Sequence, residues 1–202
     1  MDRTRREKEI FEAAYDVLAE KGYKGASMLA VARAAGASNE TLYNWYGNKQ
    51  GLLAAMIKAN AAAAEQALSG LAADAASDQP IRRLEAFGVR LLELLTGERS
   101  IALNRAAAAD VANGGTLGEM LAEHGRSRMV PLIVETIRSA QKAGQLRPHD
   151  PVEVAEIYVA LLTGDLQIRR VIGVTQAPPA EVIAGHSQRV IDLLLDLFGT
   201  EA

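Results

Sequence analysis

Ala35-Gly36-Ala37-Ser38-Asn39-Glu40-Thr41-Leu42-Tyr43-Asn44-Trp45-Tyr46-Gly47-Asn48-Lys49 is the stretch that decides the reading. Ser38 is suited to cap a helix, because its hydroxyl can accept from an otherwise unpaired amide of the first turn. Gly47 and Asn48 both tolerate the left-handed backbone that ends one. The helix between them is barely two turns long. At about 100° per residue, Leu42 and Tyr46 share one edge with Trp45 beside them, while Glu40, Thr41, Tyr43 and Asn44 point the other way. A surface helix ordinarily carries long Lys and Glu side chains on its outer face. This one carries short hydrogen-bonding groups and a phenol, with Lys49 just beyond. Such a face suits a groove lined with donors and acceptors, the lysine being left for a phosphate.

Working outward, Gly36 supplies a sharp turn and Ala37 fills its corner. Ser27 caps a short helix expected over 28–35, with Met28, Val31, Ala32 and Ala35 inward. The small alanines allow two short helices to cross closely. Before it, Thr4 and Glu7 are spaced as a capping box. Ile10, Phe11, Ala14, Val17 and Leu18 then form one apolar stripe, and Gly22 is the expected stop. A helix, a Gly-containing turn and a helix with a polar outer face make a helix-turn-helix. Arg3, Arg5 and Arg6 open the first helix, either as a solubilising start or as a phosphate-contacting arm.

Residues 10–53 resemble the DNA-binding domain of the TetR family of transcriptional regulators. Phe11, Ala14, Gly22, Tyr23, Ser27, Val31, Ala32, Ala35-Gly36-Ala37-Ser38, Leu42-Tyr43, Tyr46, Lys49 and Leu52-Leu53 carry the resemblance. The family usually has Gly-Val-Ser where this chain has Gly-Ala-Ser. It usually has Phe, or another apolar residue, where Tyr46 stands, and often His where Trp45 stands. The expected fold is therefore all-α. An N-terminal three-helix helix-turn-helix DNA-binding domain occupies 1–47, a connecting helix and linker 48–79, and a helical effector-binding and dimerisation domain 80–202.

On this reading the partner is double-stranded DNA with a palindromic operator. Asn39, Glu40, Thr41 and Asn44 are the candidates for base edges. Tyr43 and Trp45 are expected to make apolar or phosphate contacts, and Ser27, Ser38 and Lys49 to hold the backbone. Glu40 would repel phosphates unless it accepts from a cytosine amino group or sits at the helix N-terminus, where negative charge is favoured.

The net charge of −3 looks wrong for a nucleic-acid partner until the chain is divided. Residues 1–58 hold nine Lys/Arg and seven Asp/Glu, net +2, and the remainder is net −5. Phosphate contacts need local cations, not a basic whole. The absence of cysteine excludes disulfides and thiolate metal sites and fits a cytoplasmic protein. The basic start lacks a following apolar run, so no signal peptide is expected, and no run reaches the ~18 apolar residues of a membrane span.

Residues 48–69 read as an Ala-rich helix, with a boundary between Gly70 and Pro80. Helices are expected from Ile81 to Thr96, from Ile101 to Val111 and, after Asn113-Gly114-Gly115, from a Thr116/Glu119 capping box to about Glu123. The next resumes after His124-Gly125 and stops at Gly144, with a kink or late start at Pro131. Asp150 caps and Pro151 opens a helix over 151–173, and the last runs over 179–198. Their wide apolar stripes suit either a purely intramolecular core or a four-helix bundle across a two-fold axis, the dimer that the resemblance implies for the last two helices. Tyr158, Leu161, Leu162, Ile168, Val190, Leu193, Leu194 and Leu197 are the candidates for that homodimer. The resemblance further implies a small apolar effector bound among residues 81–145, with Phe87, Leu91, Asn104, Met120, Met129 and Tyr158 as candidate contacts.

His124, His149 and His186 lack metal-ligand spacing, and there is no phosphate-cradling loop, nucleophile elbow or paired-carboxylate signature. No enzyme activity, metal or cofactor is expected. A ligand-released repressor is the leading expectation. The alternatives are an activator, a regulator of the same fold controlled by a protein partner, or a helical interaction module without DNA binding.

Overall fold

The computed structural model describes residues 3–73 and 79–200, and the side chains of all of these except Ala72, Ala73, Asn113 and Arg126. Among them there are helices and no strand, only one isolated antiparallel bridge between Leu146 and Gly199. The helices are α1 (Arg3–Gly25), α2 (Met28–Ala34), α3 (Asn39–Tyr46), α4 (Lys49–Ala73), α5 (Pro80–Thr96), α6 (Glu98–Asp110), α7 (Thr116–Leu121), α8 (Ser127–Lys142), α9 (Pro151–Thr163), α10 (Leu166–Val171) and α11 (Ala180–Phe198). The expected break between Gly70 and Pro80 falls partly on 74–78, which lie outside the described residues.

Two compact units result. The first comprises Met1–Ala61 with Glu98–His124, the second Ala62–Gly97 with Gly125–Ala202. The three-helix head therefore shares a unit with α6 and α7, which are more than 35 residues further along the chain. One buried cluster joins Ile10, Phe11, Val17 and Leu18 of α1, Val31 of α2, Leu42 of α3 and Leu52, Met56 and Ile57 of α4 to Leu103, Ala106 and Leu117.

In the second unit, α5 packs on α8, α9 and α11 around Leu84, Phe87, Leu91, Ile133, Ile137, Tyr158, Leu162, Val190 and Leu194. Gly88 lets α5 approach the others closely: a Cβ there would lie 2.5 Å from Ser187 Oγ and 2.6 Å from the Tyr158 hydroxyl. The last carbonyls of α5 are satisfied from α10, with Arg170 Nε donating to Thr96 O (3.0 Å) and Gln167 to Leu95 O (3.3 Å).

Local signals account for three helix starts. Ser27 Oγ accepts from Ala30 N (3.1 Å), Ser38 Oγ from Thr41 N (3.0 Å), and Asp150 Oδ1 from Val152 N (3.0 Å). Three expectations need correction. Helix α1 already includes Arg3, so Thr4 lies inside it and does not cap it. Helix α7 is preceded by Gly115 with no side-chain cap, and the Thr116 hydroxyl lies 3.5 Å from Asp110 Oδ2 instead. The helix expected over 151–173 divides at Gly164, whose φ of +43° ends α9 before α10 begins. A π-helical segment, Ala122–Arg126, leads into α8, and Pro131 falls inside that helix.

Candidate nucleic-acid interface

Helix α3 is held by what its inner edge buries. Leu42 is fully buried, and the Tyr46 ring lies 6.0 Å from Phe11 and 6.2 Å from Trp45. The Tyr46 hydroxyl donates to Glu7 (3.5 Å), and burial, reinforced by that carboxylate, pushes its pKa up. Its phenol therefore stays neutral at any physiological pH.

The outer edge is open. Asn39, Glu40, Tyr43 and Asn44 are exposed, Tyr43 by 49 %. Glu40 stands in the first turn of α3, where the helix dipole favours an acid. Thr41 is half-buried, with its hydroxyl 2.8 Å from Ser38 Oγ. Ser27 and Ser38 are exposed but already accept from backbone amides.

The basic residues near α3 divide into two kinds. Arg5 is open, its side chain 81 % exposed, and pairs with Glu9 at 3.3 Å. Arg6 is 18 % exposed and committed: it donates to Glu9 Oε2 and to Gly36 O, both at 2.7 Å. The hydrogen bond from Arg6 holds the Glu9 carboxyl below its ordinary pKa. Gly36, at φ +58°, is the sharp turn between α2 and α3, so Arg6 braces the turn itself. Arg3 lies over the Trp45 ring at 5.1 Å.

Lys49 is also engaged. Its ammonium donates to Tyr23 O (2.9 Å) and sits 3.9 Å from the Tyr23 ring centre. Desolvation lowers its pKa, opposed by the charge of Asp110. The Tyr23 hydroxyl in turn donates to Asp110 Oδ1 (2.5 Å), and burial together with that bond pushes the phenol up to about 12.

Glu7, Tyr23 and Asp110 thus join the surroundings of α3 without having been picked out as site residues in the sequence, and Arg6, read there as a solubilising start or a phosphate-contacting arm, is committed to the turn. The Tyr23–Asp110 pair spans 87 positions and left no local trace.

The structure distributes the effector candidates. Phe87, Leu91 and Tyr158 are buried in the core of the second unit, with Met129 packed against it. The Tyr158 hydroxyl donates to Leu84 O (2.8 Å). Asn104 and Met120 belong to the first unit, where Asn104 donates to Ser100 O (2.8 Å).

Among the described residues, recesses of 330–410 Å³ open within single units between α1 and α6 at Tyr15, Tyr23 and Arg99, along α2 at Ser27 and Leu29, and at Ile81, Glu85 and Ile191. None of the six candidates lines them.

The dimer candidates divide as well. Tyr158, Leu162, Val190 and Leu194 are buried in the core of their own unit. Ile168, Leu193 and Leu197 are exposed, and Leu161 is half-buried. Val182, Ile172 and Val174 add exposed apolar surface. Among the described residues no group of three acidic, His or Cys side chains could hold a metal ion, and no helix is long and apolar enough to cross a membrane.

Comparison with known proteins agrees with this geometry. Residues 10–56 match the family model for bacterial regulatory proteins of the tetR family, and residues 82–200 that for the C-terminal domain of AefR-like transcriptional repressors. A TetR transcriptional regulator from Agrobacterium tumefaciens is 32 % identical, with a TM-score of 0.73 over 97 % of this chain and 95 % of that one. A putative TetR-family regulator from Mesorhizobium loti is 22 % identical, with a TM-score of 0.82 over 99 % of this chain and 100 % of that one. SmeT, the repressor of the Stenotrophomonas maltophilia multidrug efflux pump SmeDEF, is 21 % identical, with a TM-score of 0.71 over 97 % of this chain and 91 % of that one. Its complex with triclosan gives 22 %, 0.72, 98 % and 93 %. No functionally curated protein matches in sequence. Two family models together spanning most of its length, and a relative sharing nearly a third of its residues, place this chain in the TetR family of transcriptional regulators.

Proposed function

We propose that the protein is a homodimeric repressor that places α3 of each subunit in the major groove of a palindromic operator and is released by a small apolar effector. The observation that carries the DNA contact is the face of α3. Leu42 anchors the helix from below, while Asn39, Glu40, Tyr43 and Asn44 stand clear of the protein. Asn39, Glu40, Thr41 and Asn44 are assigned to base edges, with Asn44 suited to pair bidentately with an adenine. Tyr43, Trp45, Ser27, Ser38 and the donors of Lys49 not spent on Tyr23 are assigned to sugar and phosphate.

The exposed Leu193, Leu197 and Val182 of α11, with Ile168 of α10, support the dimer. Two-fold symmetry then demands matching half-sites. For the effector, SmeT, solved with triclosan, supports a small hydrophobic molecule. Phe87, Leu91, Met129 and Tyr158 are the residues of the second unit assigned to it. A ligand releases DNA only by binding one of two conformations better than the other.

The test is an Asn44→Ala variant offered a library of operator mutants. Its preference relaxes at one base pair per half-site, by about 1–3 kcal/mol. Unchanged preference at every position would remove α3 from the groove.

A further inference from the structure

Asp110 is fully buried, ends in a carboxyl group, and belongs to no surface that could meet DNA. A carboxylate taken out of water is tolerated only where its oxygens are hydrogen-bonded. The partners of this one come from two directions. Oδ1 accepts from the Tyr23 hydroxyl at 2.5 Å. Oδ2 lies 3.4 Å from Leu117 N and 3.5 Å from Thr116 Oγ1, at the start of α7.

Tyr23 is gripped again on its far side. Its carbonyl accepts from Lys49 Nζ, and its ring lies under the same ammonium. Lys49 opens α4, two residues after Gly47 closes α3. The contacts therefore run without a gap from the first turn of α7, through Asp110 and Tyr23, to Lys49, the first residue of α4. Apolar packing takes the same route, since Leu103, Ala106 and Leu117 share a buried cluster with Phe11, Leu42 and Leu52.

We propose that Asp110 is a positioning residue for DNA reading. Through Tyr23 and Lys49 it fixes the start of α4 and with it the C-terminal end of α3, so that 98–124 is a working part of the reading unit although the matched DNA-binding domain ends at residue 56. This rests on the reading that α3 meets DNA. It also makes the first turn of α7 a place from which operator affinity is set, because any shift there withdraws two of the donors on Asp110.

The test uses full-length Tyr23→Phe, Asp110→Asn and the double variant, at a temperature where circular dichroism shows all of them folded. Binding to the duplex selected by the wild type is followed by fluorescence anisotropy, and hydrogen exchange is measured on the free proteins. Each single variant binds about tenfold more weakly, the double no worse than roughly twofold beyond either single, because both changes cut one path. The salt dependence stays close to that of the wild type, since neither change removes a Lys or Arg and Lys49 keeps its charge, and amides of Gly51 to Leu53 exchange faster. Single variants within roughly twofold of the wild type, or losses that multiply in the double, overturn the proposal. Should Asp110→Asn fail to fold, Tyr23→Phe, which deletes one hydroxyl, decides it. Should the wild type bind no duplex, the DNA reading falls, and unchanged exchange at Gly51 to Leu53 would then overturn the role of Asp110 on its own.

Discussion

Arg6 and Arg5 are neighbours on α1, yet their surroundings predict opposite responses to the same substitution. In Arg6→Met the aliphatic stem survives, and the hydrogen bond to Gly36 O and the ion pair with Glu9 are lost. Gly36 is exposed, so its carbonyl regains water and the full cost of a buried orphan does not apply. What remains is the net worth of the bond, about 1 kcal/mol, or roughly a fivefold loss wherever an ordered turn is required. A lost phosphate contact would look different. It would flatten the salt slope by about 0.9, so that between about 50 and 200 mM salt the wild-type advantage would shrink roughly 3.5-fold. For Arg6→Met, anisotropy titrations should show a constant ratio of affinities across that range. Arg5→Met, which removes an open guanidinium, is the internal control and should show the shrinking ratio. A ratio that collapses for Arg6→Met would mean that its guanidinium leaves Gly36 for the DNA, and would refute the brace.

Two further outcomes follow from the second unit. Gly88→Ala forces a methyl to within 2.5 Å of Ser187 Oγ and 2.6 Å of the Tyr158 hydroxyl. Both hydroxyls already donate to carbonyls of α5, so overpacking and disturbed bonds should cost about 2–4 kcal/mol and lower Tm by roughly 5–15 °C; a melting curve equal to the wild type would show that α5 can move aside. Replacing Leu193 and Leu197 together by Glu should leave the far-ultraviolet circular dichroism intact and give monomers in sedimentation. A dimer that persists would place the interface elsewhere.

What the sequence disclosed follows the range of the forces involved. Ser27, Ser38 and Asp150 announced their helices because a cap satisfies an amide two or three residues away. Leu42 announced its burial through spacing alone. Thr116 misled for a related reason: its local pattern fits a capping box, but the buried Asp110 lies within reach of its hydroxyl. Gly164 was read through because an apolar stripe continues on both sides of a residue whose positive φ breaks the helix. Periodicity locates the middle of a buried face and not the identity of what covers it. On α11, Val190 and Leu194 face their own core, while Leu193 and Leu197 lie on the open edge of the same stripe. The brace of Arg6 and the bond from Tyr23 to Asp110 join positions 30 and 87 residues apart, and no local rule reaches that far.

The most direct measurement is selection of bound fragments from random duplexes by the purified protein, repeated at two salt concentrations. The account predicts a palindromic consensus whose half-site centres lie about 10 base pairs, or a multiple of that, apart, with affinity falling as salt rises. Recovery of no sequence above background, even at the lower salt, would contradict it.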